Sequence, residues 1–170
     1  MPSLRQSLKN RLRDAARVAV LAVGSEWRGD DAAGMLAGRN VEKRRRASGC
    51  RWKRKVKVFL GETAPENLTG AIRAWQPTHL VVLDAADMGK RGGRVEVFGP
   101  HDMEGLSCST HQLPLSVMID YMLKDQAFEA MVVGIQPRQM NYGRKVSPGV
   151  ARAAEKTGAM LAEVFEGVLG

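Results

Sequence analysis

Cysteine is almost missing from this sequence. Only Cys50 and Cys108 occur in 170 residues, and they lack CxxC spacing, so neither a disulfide framework nor a zinc motif is indicated and both read as reduced thiols in a cytoplasmic protein. Long apolar runs are missing too. None approaches the ~20 residues a helix needs to span a bilayer, so no stable membrane insertion is expected. The basic amino-terminal stretch has no apolar core of the kind a secretory signal carries. There is no phosphate-binding GxxxxGK(S/T) loop, and the glycine turn GSEWRGDD, Gly24 to Asp31, lacks the lysine such a loop requires. No GxGxxG follows a strand, and neither a GxSxG nucleophile elbow nor an HExxH zinc motif is present. Internal repeats, low-complexity tracts and interdomain linkers are likewise absent.

What is there is a globular composition, 44% hydrophobic, in a length that fits one domain over residues 1–170. Charge is unbalanced: 26 Lys and Arg against 18 Asp and Glu give a formal +8. Much of the excess lies in KRRRASGCRWKRKVK, Lys43 to Lys57. Such a run can mark an acidic partner or nucleic acid. Trp52, however, is the one aromatic among these cations and makes no stacking platform. The segment is therefore read as a solvated basic loop, and no nucleic-acid partner is expected.

The element pattern is α/β. Leu4, Leu8 and Leu12 recur at helical spacing, so residues 3–16 read as an amphipathic basic helix, an addition to the domain within residues 1–17. Val18 to Val23 is a buried strand, followed by the glycine turn and Ala-rich helical sequence to about Asn40. Asp30 and Asp31 are expected to cap free N–H groups at that helix start. Val56 to Leu60 is a second strand, then comes a helix through Trp75 that Pro77 ends. Leu80 to Leu83 is a third strand and Arg94 to Phe98 a fourth. The link between these two is too short for a parallel crossover, which predicts an antiparallel fourth strand. A helix starting near Pro114, a fifth strand over Ala130 to Val133, and a last helix with Ser147 as N-cap and Pro148 in first position complete the chain. Val150, Ala154, Thr157, Leu161, Val164 and Val168 form one face of that helix. The expectation is a three-layer αβα sandwich around a mixed, mostly parallel, twisted five-stranded sheet.

Function centres on LVVLDAADMG, Leu80 to Gly89. Ligands of open α/β sheets bind just past the carboxyl ends of strands, where Asp84 falls. It reads either as a ligand, acid or base, or as a turn-capping Asp. Asp31 and His111 lie in other loops that can meet there. Two carboxylates and an imidazole suit a divalent metal such as Zn, Mn, Fe or Ni, although their spacing does not establish one and lone residues of each type are usually structural. Cys108, three residues before His111, raises a Cys–His nucleophile pair, against which stands an incidental cysteine.

The ordered set GSEWRGDDAAG, GETAPEN, LVVLDAADMG, STHQLPL and GIQP resembles the hydrogenase maturation proteases. It looks closest to the branch that processes the large subunit of the formate-hydrogenlyase hydrogenase 3, and the match runs from about Val18 to Leu169. The resemblance implies that Asp31, Asp84 and His111 are the metal ligands and the functional residues. It implies an endopeptidase that removes the carboxy-terminal extension of a [NiFe]-hydrogenase large-subunit precursor after nickel insertion. The nickel is supplied by that precursor, other divalent metals being able to occupy the site, and the free enzyme is expected to be a monomer. Metal-activated water and acid–base chemistry at Asp31 or Asp84 both remain open. A non-catalytic metal-checking or chaperone module on the same fold is the alternative. Ser25 stands where the family pattern has asparagine.

Overall fold

The computed structural model describes residues 1–103, 106–108 and 113–170, with the backbone alone for 107 and 108. In chain order the elements are α1 (Leu4–Leu12), β1 (Val18–Val23), α2 (Ala33–Ala47), β2 (Val56–Glu62), α3 (Thr69–Trp75), β3 (His79–Asp87), β4 (Val95–Phe98), β5 (Ser107–Cys108), α4 (Leu115–Asp125), β6 (Glu129–Ile135) and α5 (Pro148–Leu169). Five strands lie in the order β2-β1-β3-β6-β4, and β5 pairs with the end of β3. The β1–β2, β1–β3 and β3–β6 pairs are parallel. β4 runs antiparallel to β6, with Val95 opposite Ile135 and Phe98 opposite Val132. The mixed, mostly parallel sheet is thus the one the sequence pattern predicts.

The central strands are apolar on both faces because helices cover both. Alternation along each strand sorts the side chains. Val18, Val20, Val81, Leu83, Ala85, Met131 and Val133 join the core shared with α1, α2 and α5. Ala19, Leu21, Val23, Leu80, Val82 and Val132 join the core shared with α3 and α4. Of the predicted stripe on α5, Val150, Ala154, Thr157, Leu161 and Val164 are buried, while Val168 is only partly buried against the core. Helix α1 is capped by Ser3, whose hydroxyl accepts from the Gln6 N–H. It docks against α5 through the fully buried Leu8 and Leu12 and an Arg5–Glu163 ion pair.

The basic segment is not the loop the charge run suggests. α2 continues to Ala47, and a 3-10 turn spans Arg51–Arg54. Glu42 explains the continuation, since it accepts from both Arg45 and Arg46 at 2.7 Å, one turn along the helix. Cations in the last turn also suit the negative end of the helix dipole. Trp52 is buried against Phe165, with ring centroids 5.9 Å apart, and this anchors the turn.

Gly34 sets how α2 meets the sheet. A Cβ at this position would stand 2.3 Å from the Leu83 carbonyl oxygen and 2.4 Å from that of Val23. Only glycine lets the helix start rest directly on the ends of β1 and β3, which brings the preceding turn to the place where Asp84 emerges.

Candidate functional site

Asp31 is carried by the turn between β1 and α2. Gly24 opens that turn with φ +137°, and a Cβ there would lie 1.9 Å from the Asp31 carbonyl oxygen, so a side chain is excluded. The turn closes as a 3-10 helix over Gly29–Ala32. Within it, the Asp31 N–H donates to the Arg28 carbonyl at 3.1 Å. The two adjacent acids do not cap α2 through their side chains, contrary to the sequence expectation. Other partners claim them. Asp30 is fully buried and accepts from the N–H groups of Arg138, Gln139 and Ser147 and from the Ser147 hydroxyl, at 2.6–3.1 Å. It fastens the loop ahead of α5 to the Asp31 turn. Ser147 stands before α5 as expected, but its hydroxyl serves Asp30 rather than the helix.

Asp31 is arranged differently. Its Oδ2 accepts from the Ser25 N–H at 3.0 Å and lies 3.9 Å from Nη1 of Arg28. Its Oδ1 is buried and has no hydrogen-bond partner among the described residues. A carboxylate oxygen left in this condition costs stability unless something else supplies a positive partner. Asp31 borders a cleft of about 390 Å³ lined by Ser25, Arg28, Thr63, Ala64, Glu66 and Tyr142 as well. The lining carries the carboxylates of Asp31 and Glu66 and the Arg28 guanidinium.

Asp84 is fully buried and lies within β3, not beyond it. The strand runs on to Asp87 because Ala86 and Asp87 pair with Cys108 and Ser107 of β5. Strand alternation puts Asp84 on the face of Leu80 and Val82. The Gly29–Ala32 turn packs against β3, so the topology gathers Asp31 and Asp84 at the carboxyl ends of the adjacent strands β1 and β3. His111 lies outside the described residues, as does the side chain of Cys108. Among the described residues, no group of three or more His, Cys, Asp and Glu side chains is assembled for a metal.

Gln136 and Arg28 have parts in this region that the sequence reading did not assign. The Gln136 side chain is buried, and its Oε1 accepts from the N–H groups of Met88 and Lys90 at 2.7 and 3.1 Å. Its Nε2 donates to Asp87 Oδ1 at 3.1 Å. Gln136 therefore shapes the backbone just after β3. That hydrogen bond, with another from the Gly89 N–H, holds the exposed Asp87 carboxyl below its ordinary range. The GIQP motif contains Gln136, but nothing in the motif says where its amide points. Arg28 lies inside the GSEWRGDDAAG motif, which does not say where its side chain points, and Tyr142 lies in none of the motifs; the guanidinium lies 5.3 Å from the centre of the Tyr142 ring.

This architecture is that of the [NiFe]-hydrogenase maturation endopeptidases. A maturation protease HycI from Thermococcus kodakarensis KOD1 superposes with a TM-score of 0.82 at 25% identity, over 94% of this chain and 98% of that one. The solution structure of the endopeptidase HycI from Escherichia coli gives 0.71 at 30% identity, over 86% and 90%. The family model for HycI, hydrogenase maturation protease, matches residues 39–164. The hydrogenase 3 maturation protease of Escherichia coli K12 is 36% identical over 137 residues, 80% of this chain and 83% of that protein. The chain belongs to the hydrogenase maturation protease family.

Proposed function

We propose that this protease removes the carboxy-terminal extension of a [NiFe]-hydrogenase large-subunit precursor once nickel has been inserted, and that Asp31, Asp84 and His111 meet the nickel the precursor carries. The observation that supports this most directly is the buried Asp31 Oδ1, which lacks a protein partner among the described residues and borders an open cleft. A carboxylate oxygen in that state fits a divalent ion, for which oxygen and imidazole nitrogen are suitable ligands. The metal is part of the substrate in this reading. Bound there, it supplies Lewis acidity toward a peptide carbonyl or a water.

The chain's own residues supply the setting. The Ser25 N–H holds one oxygen of Asp31 in place, leaving the other for the substrate. Trp27 and Tyr142 are largely exposed beside the cleft, and Trp27 accepts through its carbonyl from the Gly143 N–H. Exposed aromatics of this kind are frequent anchors in protein interfaces, which suits a folded precursor rather than a small peptide. The exposed, free Cys50 thiol fits a reducing, cytoplasmic setting. No helix among the described residues is long and apolar enough to cross a membrane.

The test is incubation with nickel-loaded and nickel-free precursor, followed by mass determination of the product. Cleavage of the loaded form alone is expected. Cleavage of both forms alike refutes nickel gating, and binding without cleavage identifies a metal-checking module instead.

A further inference from the structure

The sheet has two outer strands, and they are not alike. β4 is four residues long and has α1 packed beside it. β2 is seven residues long, and among the described residues no strand pairs with its outer side. The Val18 N–H donates to the Lys55 carbonyl at 2.8 Å. In the parallel register that follows, Lys57 and Phe59 turn their backbone groups to β1, while Val56, Val58 and Leu60 turn theirs outward. Lysine often guards such an edge. Lys57 instead lies over the Phe59 and Trp75 rings, with Nζ 5.2 and 5.6 Å from their centres. A row of unpaired N–H and C=O groups is a template for one more strand.

Two features say which strand it takes. The first is chain continuity. β2 ends at Glu62, and Thr63, Ala64 and Glu66 just beyond it line the cleft with Asp31. A polypeptide laid along β2 therefore leads into the cleft. The second is a groove of about 640 Å³ between α2 and β2, lined by Arg39, Glu42, Lys43, Arg46, Ala47 and Leu60. Leu60, 38% exposed, and Ala47 give it apolar surface. Arg39 pairs with Glu26 and Arg46 with Glu42, whereas Lys43 has no ion pair among the described residues. The groove therefore suits apolar side chains and an acidic one. We propose that β2 receives the carboxy-terminal extension of the precursor as an added antiparallel strand, with an apolar side chain against Leu60 and an acidic one at Lys43. The inference rests on the processing role proposed above. Residues before the bond cut belong to the mature subunit, so the segment to be removed is the one left to lie along β2. Direction follows from connectivity: β2 runs toward the cleft and the extension runs away from the bond cut there. Main-chain hydrogen bonds supply affinity in such a pairing, and pockets for alternate side chains supply selectivity.

The test is amide hydrogen exchange of the full chain, alone and with excess nickel-free precursor, which the proposed function leaves uncut. With the precursor, the Val58 and Leu60 amides should exchange at least about tenfold more slowly. The mature subunit, which lacks the extension, should leave them unchanged. Absence of protection, or equal protection by the mature subunit, overturns the inference. So does protection in the protein alone that grows with its concentration, the sign of two copies pairing edge to edge. Variants give a kinetic check. Leu60→Pro removes one outward N–H where an edge strand tolerates proline. On nickel-loaded precursor it should raise KM about tenfold and leave kcat within about threefold. Leu60→Ala keeps the N–H and should raise KM less, and circular dichroism checks that each variant is folded. An unchanged KM in folded Leu60→Pro overturns the inference. Lys43→Glu should also raise KM, and an unchanged value overturns the acidic side chain assigned to the groove. The two readings fail by separate signs. Nickel-dependent cutting without protection of Val58 and Leu60 defeats strand addition alone, and protection without cutting defeats the processing role alone.

Discussion

Asp30 and Asp31 are sequence neighbours of one residue type, yet their surroundings give them opposite duties. Asp30 accepts four hydrogen bonds at the interior of the turn, so Asp30→Asn turns an amide N–H toward donors. This should cost about 2–4 kcal/mol in urea unfolding. Asp31→Ala removes a group with one backbone donor and should leave stability within about 1 kcal/mol while abolishing precursor processing. Asp84→Ala and His111→Ala are expected to abolish processing as well, with circular dichroism unchanged, whereas Cys108→Ala should retain it; full activity in the three former variants refutes the assignment. His79 gives a prediction in pH. Burial pushes its imidazole below the ordinary value of 6.5, and the carboxylates of Glu129 and Asp14 offset this only in part. As pH falls, the unfolded chain takes up the proton before the folded one does. The stability that comes from keeping the ring neutral is therefore complete above about 6.5 and is lost as pH drops from there toward the lowered folded value. His79→Leu should flatten the fall in Tm that wild type shows between about pH 7 and about pH 5.

At the scale of elements, the turn ahead of α2 and the segment after β2 line the cleft, and the packing of α2 on the ends of β1 and β3 sets where that turn lies. A Cβ on Gly34 meets two backbone carbonyls, neither of which can rotate away. Gly34→Ala should thus cost about 3 kcal/mol or more and should weaken processing in the fraction that still folds, read by thermal denaturation beside the precursor assay. The sequence pattern located both elements but misjudged their far ends. α2 passes through a run of cations because Glu42 bridges back to Arg45 and Arg46, a pairing that a charge count conceals. β3 outlasts its apolar run because β5 pairs with Ala86 and Asp87. Strand length here reflects a hydrogen-bonding partner from a later part of the chain, not local propensity. The antiparallel course of β4 was legible, because the length of a link limits the direction of the strand that follows.

At the scale of the whole molecule, the added amino-terminal helix docks on the domain core. Leu8 and Leu12 are fully buried in the core shared with α5, so Leu8→Ala and Leu12→Ala should each cost about 2–5 kcal/mol in chemical denaturation. An appended helix would show almost no loss. The basic excess is also partly consumed by the fold. Arg45 and Arg46 pair with Glu42, Lys55 donates to the Leu169 carbonyl, and Lys57 lies over the Phe59 and Trp75 rings. Local chemistry, which sequence carries, determined the helices and the five strands β2, β1, β3, β6 and β4 apart from the far ends of α2 and β3, the direction of β4 and the ordered motifs from GSEWRGDD to GIQP. Only the tertiary structure decided which of two adjacent acids ties a loop and which keeps an oxygen toward the cleft, and where the Gln136 amide points. The reason is distance along the chain. The Ser147 groups that claim Asp30 lie 117 positions away, and no periodicity or spacing records a hydrogen bond that forms only after the sheet has closed.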